Sequence, residues 1–143
     1  MRLFSQNVKV ERLRSVPLFE GLSKKELTEL ARVTDDLALA SGTVLCREGR
    51  IGREFFVLVD GVVEVTKDGQ PIATRQGGDF IGEIALLTDL RRTATVKATT
   101  PLRCFVLTTS AFRKVLDDNP TVERKVMRTL AERLASYSQF QDV

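Results

Sequence analysis

The sequence has no histidine and no tryptophan, and it has only one tyrosine and two cysteines among 143 residues. Histidine is the commonest general base in enzymes and the commonest protein ligand of zinc, iron and copper. Its absence excludes the nucleophilic triads that depend on histidine and argues against most metal centres. We therefore expect no catalytic residues and no metal site.

Cysteine is scarce, and apolar residues never form a long run. Cys46 and Cys104 lie far apart with no Cys-x-x-Cys pair, so we expect two reduced structural thiols, with a single disulfide as the alternative. No run of about 18 apolar residues could span a bilayer, and charged residues interrupt the apolar residues at positions 1–14 too often for a signal peptide. These absences predict a cytoplasmic protein with no membrane partner.

The size and charge of the chain indicate one globular domain. A chain of 143 residues that is 43% hydrophobic can bury a core without disulfide or metal support, so we predict a single domain over residues 1–143. The net charge is +3, and residues 1–14 alone account for it with four basic residues against one acidic residue. The rest is balanced, which is not typical of a nucleic-acid-binding domain, so no direct DNA binding is expected.

The first 40 residues have helical signals. Ser23 and Glu26 have the spacing of a capping box, in which each side chain bonds the other residue's backbone N–H at the start of a helix. Leu27, Leu30 and Ala31 then give an apolar face at helical spacing. We predict an N-terminal helical segment over residues 1–40.

From Thr43 to about Val106, short β-branched and aromatic runs alternate with glycines, which is typical of a β-sandwich or roll. We place this roll at residues 41–107. Asp60-Gly61 and Asp68-Gly69 each lie between apolar runs, so both are predicted to be tight turns between antiparallel neighbours.

Residues 108–143 return to the helical period, and the last helix is predicted from Pro120 to about Ser136. Its apolar stripe should pack on the domain or on a second copy of the chain, and the oligomeric state stays open, with a homodimer through this helix among the options. The stripe consists of Val126, Met127, Leu130, Leu134 and Tyr137.

The stretch FIGEIALLTDLRRTATVKA, within residues 80–98, interrupts the strand pattern and combines paired charges with helical character. Gly82 allows close approach of a ligand, the N–H groups of Ile84 and Ala85 would begin a short helix, and Arg92 would add a guanidinium. Together they would bind an anion. The Glu83 carboxylate would repel that anion unless it accepted a hydrogen bond from a hydroxyl of the same ligand, so we expect a phosphate beside a sugar hydroxyl.

This stretch, extended to GDFIGEIALLTDLRRTATVKA, resembles the phosphate-binding cassette of the cyclic nucleotide-binding domain family. The family includes the catabolite activator protein, the regulatory subunits of protein kinase A and the cyclic-nucleotide-gated channels. The resemblance implies a mainly β fold with flanking helices: a double-stranded, jelly-roll-like β-roll with an N-terminal helix, a short cassette helix within residues 80–96 and C-terminal helices. The matching residues are Gly82, Glu83, Ala85, Leu86, Arg92, Ala94, Thr95 and Val96.

The resemblance also implies roles for the residues of the cassette. Glu83 would bind the ribose 2′-hydroxyl, Arg92 would bind the cyclic phosphate, and the backbones of Ala85 and Thr93 would complete the anion pocket. The Thr93 hydroxyl could also meet a guanine amino group, which leaves both cAMP and cGMP as ligands. The full set of predicted ligand-binding residues is Gly82, Glu83, Ile84, Ala85, Arg92 and Thr93.

The resemblance therefore implies a cyclic nucleotide receptor without catalytic activity, whose C-terminal helices move on binding. The sequence shows no recognisable output domain, so we expect either an unidentified effector protein in trans or a larger protein of which this is one domain. No cofactor is expected besides the nucleotide ligand. The alternative is a degenerate roll that serves only as a protein–protein interaction module. A cupin-like metalloenzyme on a similar β-architecture would resemble a cluster of histidine ligands, and the sequence has none.

Overall fold

The computed structural model describes residues 2–83 and 91–138, and the side chains within 7–83 and 91–136. A single 3₁₀ turn at Pro17–Phe19 joins the first two helices. The described helices are α1 (Arg2–Arg14), α2 (Lys24–Arg32), α3 (Thr109–Asp118) and α4 (Pro120–Ser138). The described strands are β1 (Asp35–Leu39), β2 (Val44–Cys46), β3 (Glu54–Asp60), β4 (Val62–Lys67), β5 (Gln70–Gln76), β6 (Phe80–Ile81), β7 (Thr95–Ala98) and β8 (Leu102–Thr108).

The strands form two four-stranded sheets, with the orders β1-β8-β3-β6 and β2-β7-β4-β5, and every paired neighbour is antiparallel. Apolar side chains from both sheets fill the space between them, including Phe56 and Leu58 from β3, Val63 from β4 and Val96 from β7. The predicted mainly β roll with flanking helices is confirmed. Residues 84–90, which include most of the predicted cassette helix, lie outside the described residues.

A second core lies on the other face of the β1-β8-β3-β6 sheet, where the helices pack. Successive residues of β3 point to opposite faces, as a strand requires, so Phe55 contacts the helices while Phe56 faces the second sheet. The Phe55 ring stacks on Phe112 of α3 with 3.8 Å between centroids. The apolar layer on this face holds the helices against the roll.

The two predicted tight turns have different outcomes. Asp68-Gly69 joins β4 to its antiparallel neighbour β5, with positive φ at both residues, as predicted. The prediction for Asp60-Gly61 is wrong, because β3 and β4 belong to different sheets. Gly61 has φ of +103° and a Cβ there would lie 2.4 Å from the Pro101 carbonyl oxygen, so the chain needs glycine to cross between sheets. Both turns require positive φ, and the local pattern does not show which strands they join.

One strand precedes the range predicted for the roll. Strand β1 lies within residues 1–40, the segment expected to be helical, and it pairs with β8. Its side chains are mostly exposed or half-buried, so it lacks the apolar alternation that identifies a strand. Asp36 on β1 pairs with Arg12 of α1 at 2.5 Å and with Arg103 of β8 at 3.3 Å, which joins the strand to α1 and β8.

The predicted capping box is present, with Ser23 and Glu26 each bonded to the other's backbone N–H at the start of α2. The last helix begins at Pro120, as predicted, and continues to Ser138. Of the four stripe residues whose side chains are described, Val126 and Leu130 are buried against the domain. The other two, Met127 and Leu134, are exposed.

Both cysteines are free and buried, so the disulfide alternative is not formed. Among the described residues, no helix has the length and apolar character needed to cross a membrane.

Candidate functional site

A cavity of about 480 Å³ lies between the β2-β7-β4-β5 sheet, the start of the cassette and α4. This volume falls within the range of small-molecule sites. The sheet supplies an apolar wall that includes Val65, Ile72 and Val96, and α4 adds Leu130 and Leu134. The cavity therefore has an apolar side on which a flat ring could pack.

Four of the six predicted ligand-binding residues line this cavity: Gly82, Glu83, Arg92 and Thr93. The other two, Ile84 and Ala85, lie outside the described residues. The structure thus brings the predicted acid and base of the cassette to one cavity, while their roles toward a ligand stay predictions.

Arg92 is buried, with only 8% exposure, and it is fixed from several sides. Its Nη2 donates to the Glu54 carbonyl at 2.7 Å, its backbone N–H donates to the Arg50 carbonyl at 2.7 Å, and its carbonyl accepts from Gly49 N–H at 2.9 Å. The Nη1 atom is buried and has no hydrogen-bond partner within the part of the chain that the structure describes. Buried donors are normally paired, so Nη1 is a charged donor that an anion in the cavity could satisfy.

Two glycines make room for this guanidinium. A Cβ at Gly82, where φ is +99°, would lie 2.8 Å from Arg92 Nη1, and a Cβ at Gly52 would lie 1.7 Å from Arg92 Nε. The sequence predicts that Gly82 allows close approach of a ligand. In the structure, the lack of a side chain at Gly82 also leaves room for the Arg92 guanidinium. Gly52 was missed, because nothing in its local sequence separates it from an ordinary loop glycine.

Glu83 is 6% exposed and forms an ion pair with Arg133 of α4. Arg133 also donates from Nη2 to the Phe80 carbonyl at 2.8 Å, and its guanidinium lies 4.9 Å from the centroid of the Phe80 ring. Arg133 was not predicted from the sequence, because its partner Glu83 lies 50 positions away. A signal was available: Arg133 follows Val126 and Leu130 at i+7 and i+3, on the buried face of the helix.

The electrostatic character of the cavity is strongly positive. Glu83 is the single acidic side chain among the described residues that line it, against five basic ones. The described part of the chain also contains no group of three or more histidine, cysteine, aspartate or glutamate residues that could hold a metal ion. The arrangement suits an organic anion. The basic side chains are Lys67, Arg75, Arg91, Arg92 and Arg133.

Comparison with known proteins identifies the fold and the family. The family model for the cyclic nucleotide-binding domain matches residues 37–119. The chain belongs to the cyclic nucleotide-binding domain family. The resemblance that the cassette predicted is therefore confirmed.

Curated relatives of this cyclic nucleotide-binding domain include regulatory subunits of protein kinases. The cAMP-dependent protein kinase regulatory subunit of Yarrowia lipolytica is 38% identical over 106 residues, which are 73% of this chain and 28% of that protein. Across four such regulatory subunits, the chain spans about a quarter to a third of their length.

Solved structures give the same fold. The cAMP-bound protein PfPKA-R matches with a TM-score of 0.85 and 25% identity, covering 97% of this chain and 48% of that one. A mutant form of the cAMP-binding acyltransferase from Mycobacterium smegmatis matches with a TM-score of 0.79 and 33% identity, covering 92% of this chain and 42% of that one.

The cysteine in the cavity of this domain is unsuited to reaction. Burial raises the pKa of the Cys46 thiol to about 11, and the nearby Arg92 only partly opposes that rise. The pKa of Cys104 is also raised to about 11 by burial. Because thiolates are the reactive species, both groups are protonated near neutral pH and act as packing residues.

Proposed function

We propose that this domain is a receptor for a cyclic nucleotide, cAMP or cGMP, with a regulatory and non-catalytic role. The observation that carries the proposal is the buried Arg92 guanidinium, whose Nη1 has no partner among the described residues and which lines the same cavity as Glu83. A buried charged donor without an acceptor is unfavourable, and the phosphate of a cyclic nucleotide would satisfy it.

The ligand is oriented by the two ends of the cavity. The phosphate contacts Arg92, and a ribose hydroxyl donates to the carboxylate of Glu83. The base then packs against the apolar wall that contains Val65, Ile72 and Val96. This orientation also gives the Glu83 carboxylate a second donor beside Arg133, which offsets its repulsion of the phosphate.

The same carboxylate couples the ligand to α4. Arg133 bonds one oxygen of Glu83, and the ribose hydroxyl would use the other, so the ligand and the helix share one side chain. A ligand shifts the position of α4 only to the extent that it binds one arrangement more tightly than the other. The bond from Arg133 to the Phe80 carbonyl extends this link to the strand that precedes the cassette.

The output of the domain is an interaction with an effector protein in trans. Its α4 helix has the exposed apolar side chains Met127 and Leu134, and Leu134 also lines the cavity. A helix that contacts both the ligand site and the surface can present a different face when the site is filled. We keep the cytoplasm as the predicted compartment.

The test is calorimetric titration of the purified chain with cAMP and, separately, with cGMP. We expect saturable binding by the wild type. Arg92→Ala should weaken it at least about tenfold, since a hydrogen bond to a charged group contributes about 1.5 to 3 kcal/mol. Arg92→Lys, which keeps the charge but not the two-pronged donor, should fall between them.

Arg47→Ala is the matched control, because Arg47 is exposed and does not line the cavity. It should bind like the wild type. Thermal melting of each variant checks that the fold is retained. Absence of heat with both nucleotides, or full affinity in a folded Arg92→Ala variant, would contradict the proposed receptor.

A further inference from the structure

The loop that joins β2 to β3 is rich in arginine. Residues 47–53 contain Arg47, Arg50 and Arg53 against one acidic residue, Glu48. All three arginines are exposed, and their side chains have no hydrogen bond and no ion pair within the part of the chain that the structure describes. We call residues 47–53 the arginine loop. Its guanidinium groups are available to a partner.

Hydrogen bonds hold the backbone of the arginine loop in place. The Arg50 carbonyl accepts from the Arg92 N–H at 2.7 Å, and the Arg53 carbonyl accepts from the Thr109 N–H at 2.8 Å. The Arg47 carbonyl accepts from the Arg50 N–H at 3.1 Å. Each arginine therefore extends from a main chain that is already ordered, which reduces the entropy lost when a partner binds.

The acidic side chains of this region do not neutralise the arginine loop. Glu48 accepts a hydrogen bond from the Asp68 N–H at 3.0 Å, and Glu54, which follows the loop, forms no ion pair with a described residue. Arg91 adds a further exposed cation, because it pairs with Ile51 in an isolated β-bridge. The loop therefore presents a positive surface.

An apolar side chain lies among these charges. Ile51 is 61% exposed, more than any other large apolar side chain among the described residues, and it lies between Arg50 and Arg53 in the chain. Arginine is enriched at protein–protein interfaces, which have an apolar centre and a polar rim. An exposed isoleucine flanked by arginines has this composition on a small scale.

We infer that the arginine loop is a docking surface for an acidic segment of a partner protein. Guanidinium groups bind carboxylates through two parallel hydrogen bonds, and an apolar side chain of the segment covers Ile51. An anionic membrane fits less well, because stable anchoring needs two signals and Ile51 is the single apolar side chain of the loop. This docking surface is separate from the ligand cavity and does not depend on the proposed function.

The test is fluorescence anisotropy of the full chain with a fluorescein-labelled peptide of repeated Glu-Glu-Leu units. We expect saturable binding that weakens as the salt concentration rises, because exposed ion pairs are screened. A triple variant with Arg47→Gln, Arg50→Gln and Arg53→Gln should bind about tenfold more weakly, since each exposed pair contributes little and the losses add. Ile51→Ser should weaken binding by a similar factor at low and at high salt.

The matched control removes the same number of positive charges elsewhere, with Lys24→Gln, Arg124→Gln and Arg128→Gln, all at exposed positions outside the loop. It should keep the affinity of the wild type. A peptide with lysine in place of glutamate tests the sign of the charge, and vesicles that contain phosphatidylserine test a membrane. Thermal melting checks that each variant is folded.

Three results with the peptides would overturn the inference: no binding of the acidic peptide by the wild type, equal affinity for the lysine peptide, or equal weakening by the two triple variants. Tighter binding to the vesicles than to the acidic peptide would also overturn it, in favour of a membrane. Failure of the proposed function is a different result, because it is measured with cyclic nucleotides and leaves peptide binding unchanged.

Discussion

Arg92 is positioned by hydrogen bonds of its own backbone and by the backbone carbonyl of Glu54. Its main chain bonds Arg50 and Gly49, and its Nη2 bonds Glu54 at 2.7 Å. In the proposed receptor, the guanidinium would therefore lose little freedom on binding the phosphate, since these contacts orient it. Such preorganisation raises affinity by reducing the entropy lost on binding.

Substitution of Gly52 tests this positioning at the scale of one residue. Gly52→Ala should weaken cyclic nucleotide binding at least about tenfold, because the added Cβ would lie 1.7 Å from Arg92 Nε and the guanidinium would have to move. Overpacking of this kind should also destabilise the fold by about 1 to 3 kcal/mol. Calorimetry and thermal melting measure the two effects.

A double-mutant cycle separates the clash from any general effect of the substitution. In the Arg92→Ala background the alanine at position 52 has no guanidinium to displace, so it should destabilise the protein little. An equal loss of stability in both backgrounds would show that Gly52 acts through something other than Arg92.

Single residues were predictable from the sequence where the motif is local. Glu83 and Arg92 lie nine positions apart in one segment, so the sequence alone predicts an anion site next to a carboxylate that accepts a hydrogen bond from a ligand hydroxyl. Gly52 lies 40 positions from Arg92, and Arg133 lies 50 positions from Glu83. Only the folded arrangement of loop, cassette and last helix brings them to the site.

At the scale of elements, Arg133 links α4 to Glu83 at the start of the cassette. Its side chain is 14% exposed and that of Glu83 is 8% exposed, so the ion pair is largely shielded from water. Removal of one partner from a buried pair leaves an uncompensated charge, which destabilises more than the pair stabilises. The Arg133–Glu83 ion pair therefore connects α4 to the candidate site, and loss of either partner should destabilise the fold.

Arg133→Gln should lower stability by about 3 kcal/mol and weaken cyclic nucleotide binding roughly tenfold. The loss of binding has two causes: the cavity loses a cation, and the unpaired Glu83 carboxylate repels the phosphate. Arg128→Gln, on the exposed face of the same helix, is the control and should change neither property. Melting curves and calorimetry test both; a gain of affinity in Arg133→Gln would show that Arg133 competes with the ligand.

The elements themselves were predictable to the extent that their signals are local. The capping box of α2 and the hairpin at Asp68-Gly69 depend on residues a few positions apart, and both predictions are confirmed. The partner of a strand depends on the whole sheet, which is why the turn at Asp60-Gly61 was assigned to the wrong pair. Strand β1 was missed because its pairing with β8 leaves most of its side chains exposed.

At the scale of the whole molecule, the β1-β8-β3-β6 sheet separates two apolar layers. One face packs against the helices through Phe55 and Phe112, and the other packs against the second sheet. The ligand cavity lies on the second side, yet α4 contributes to it through Leu130, Arg133 and Leu134. Helix α4 therefore packs in the helical layer through Val122 and Val126 and also lines the cavity, so a change at the cavity can reach the helical layer through it.

The most direct test of the proposed receptor is amide hydrogen exchange across the chain, with and without saturating cAMP or cGMP. A folded Arg92→Ala variant is measured in the same way as the control. We expect the nucleotide to slow exchange over residues 80–96 and to change it over residues 126–136 of α4, with neither effect in the variant. Unchanged exchange in the wild type, or protection confined to other parts of the chain, would contradict a receptor that couples Glu83 and Arg92 to its last helix.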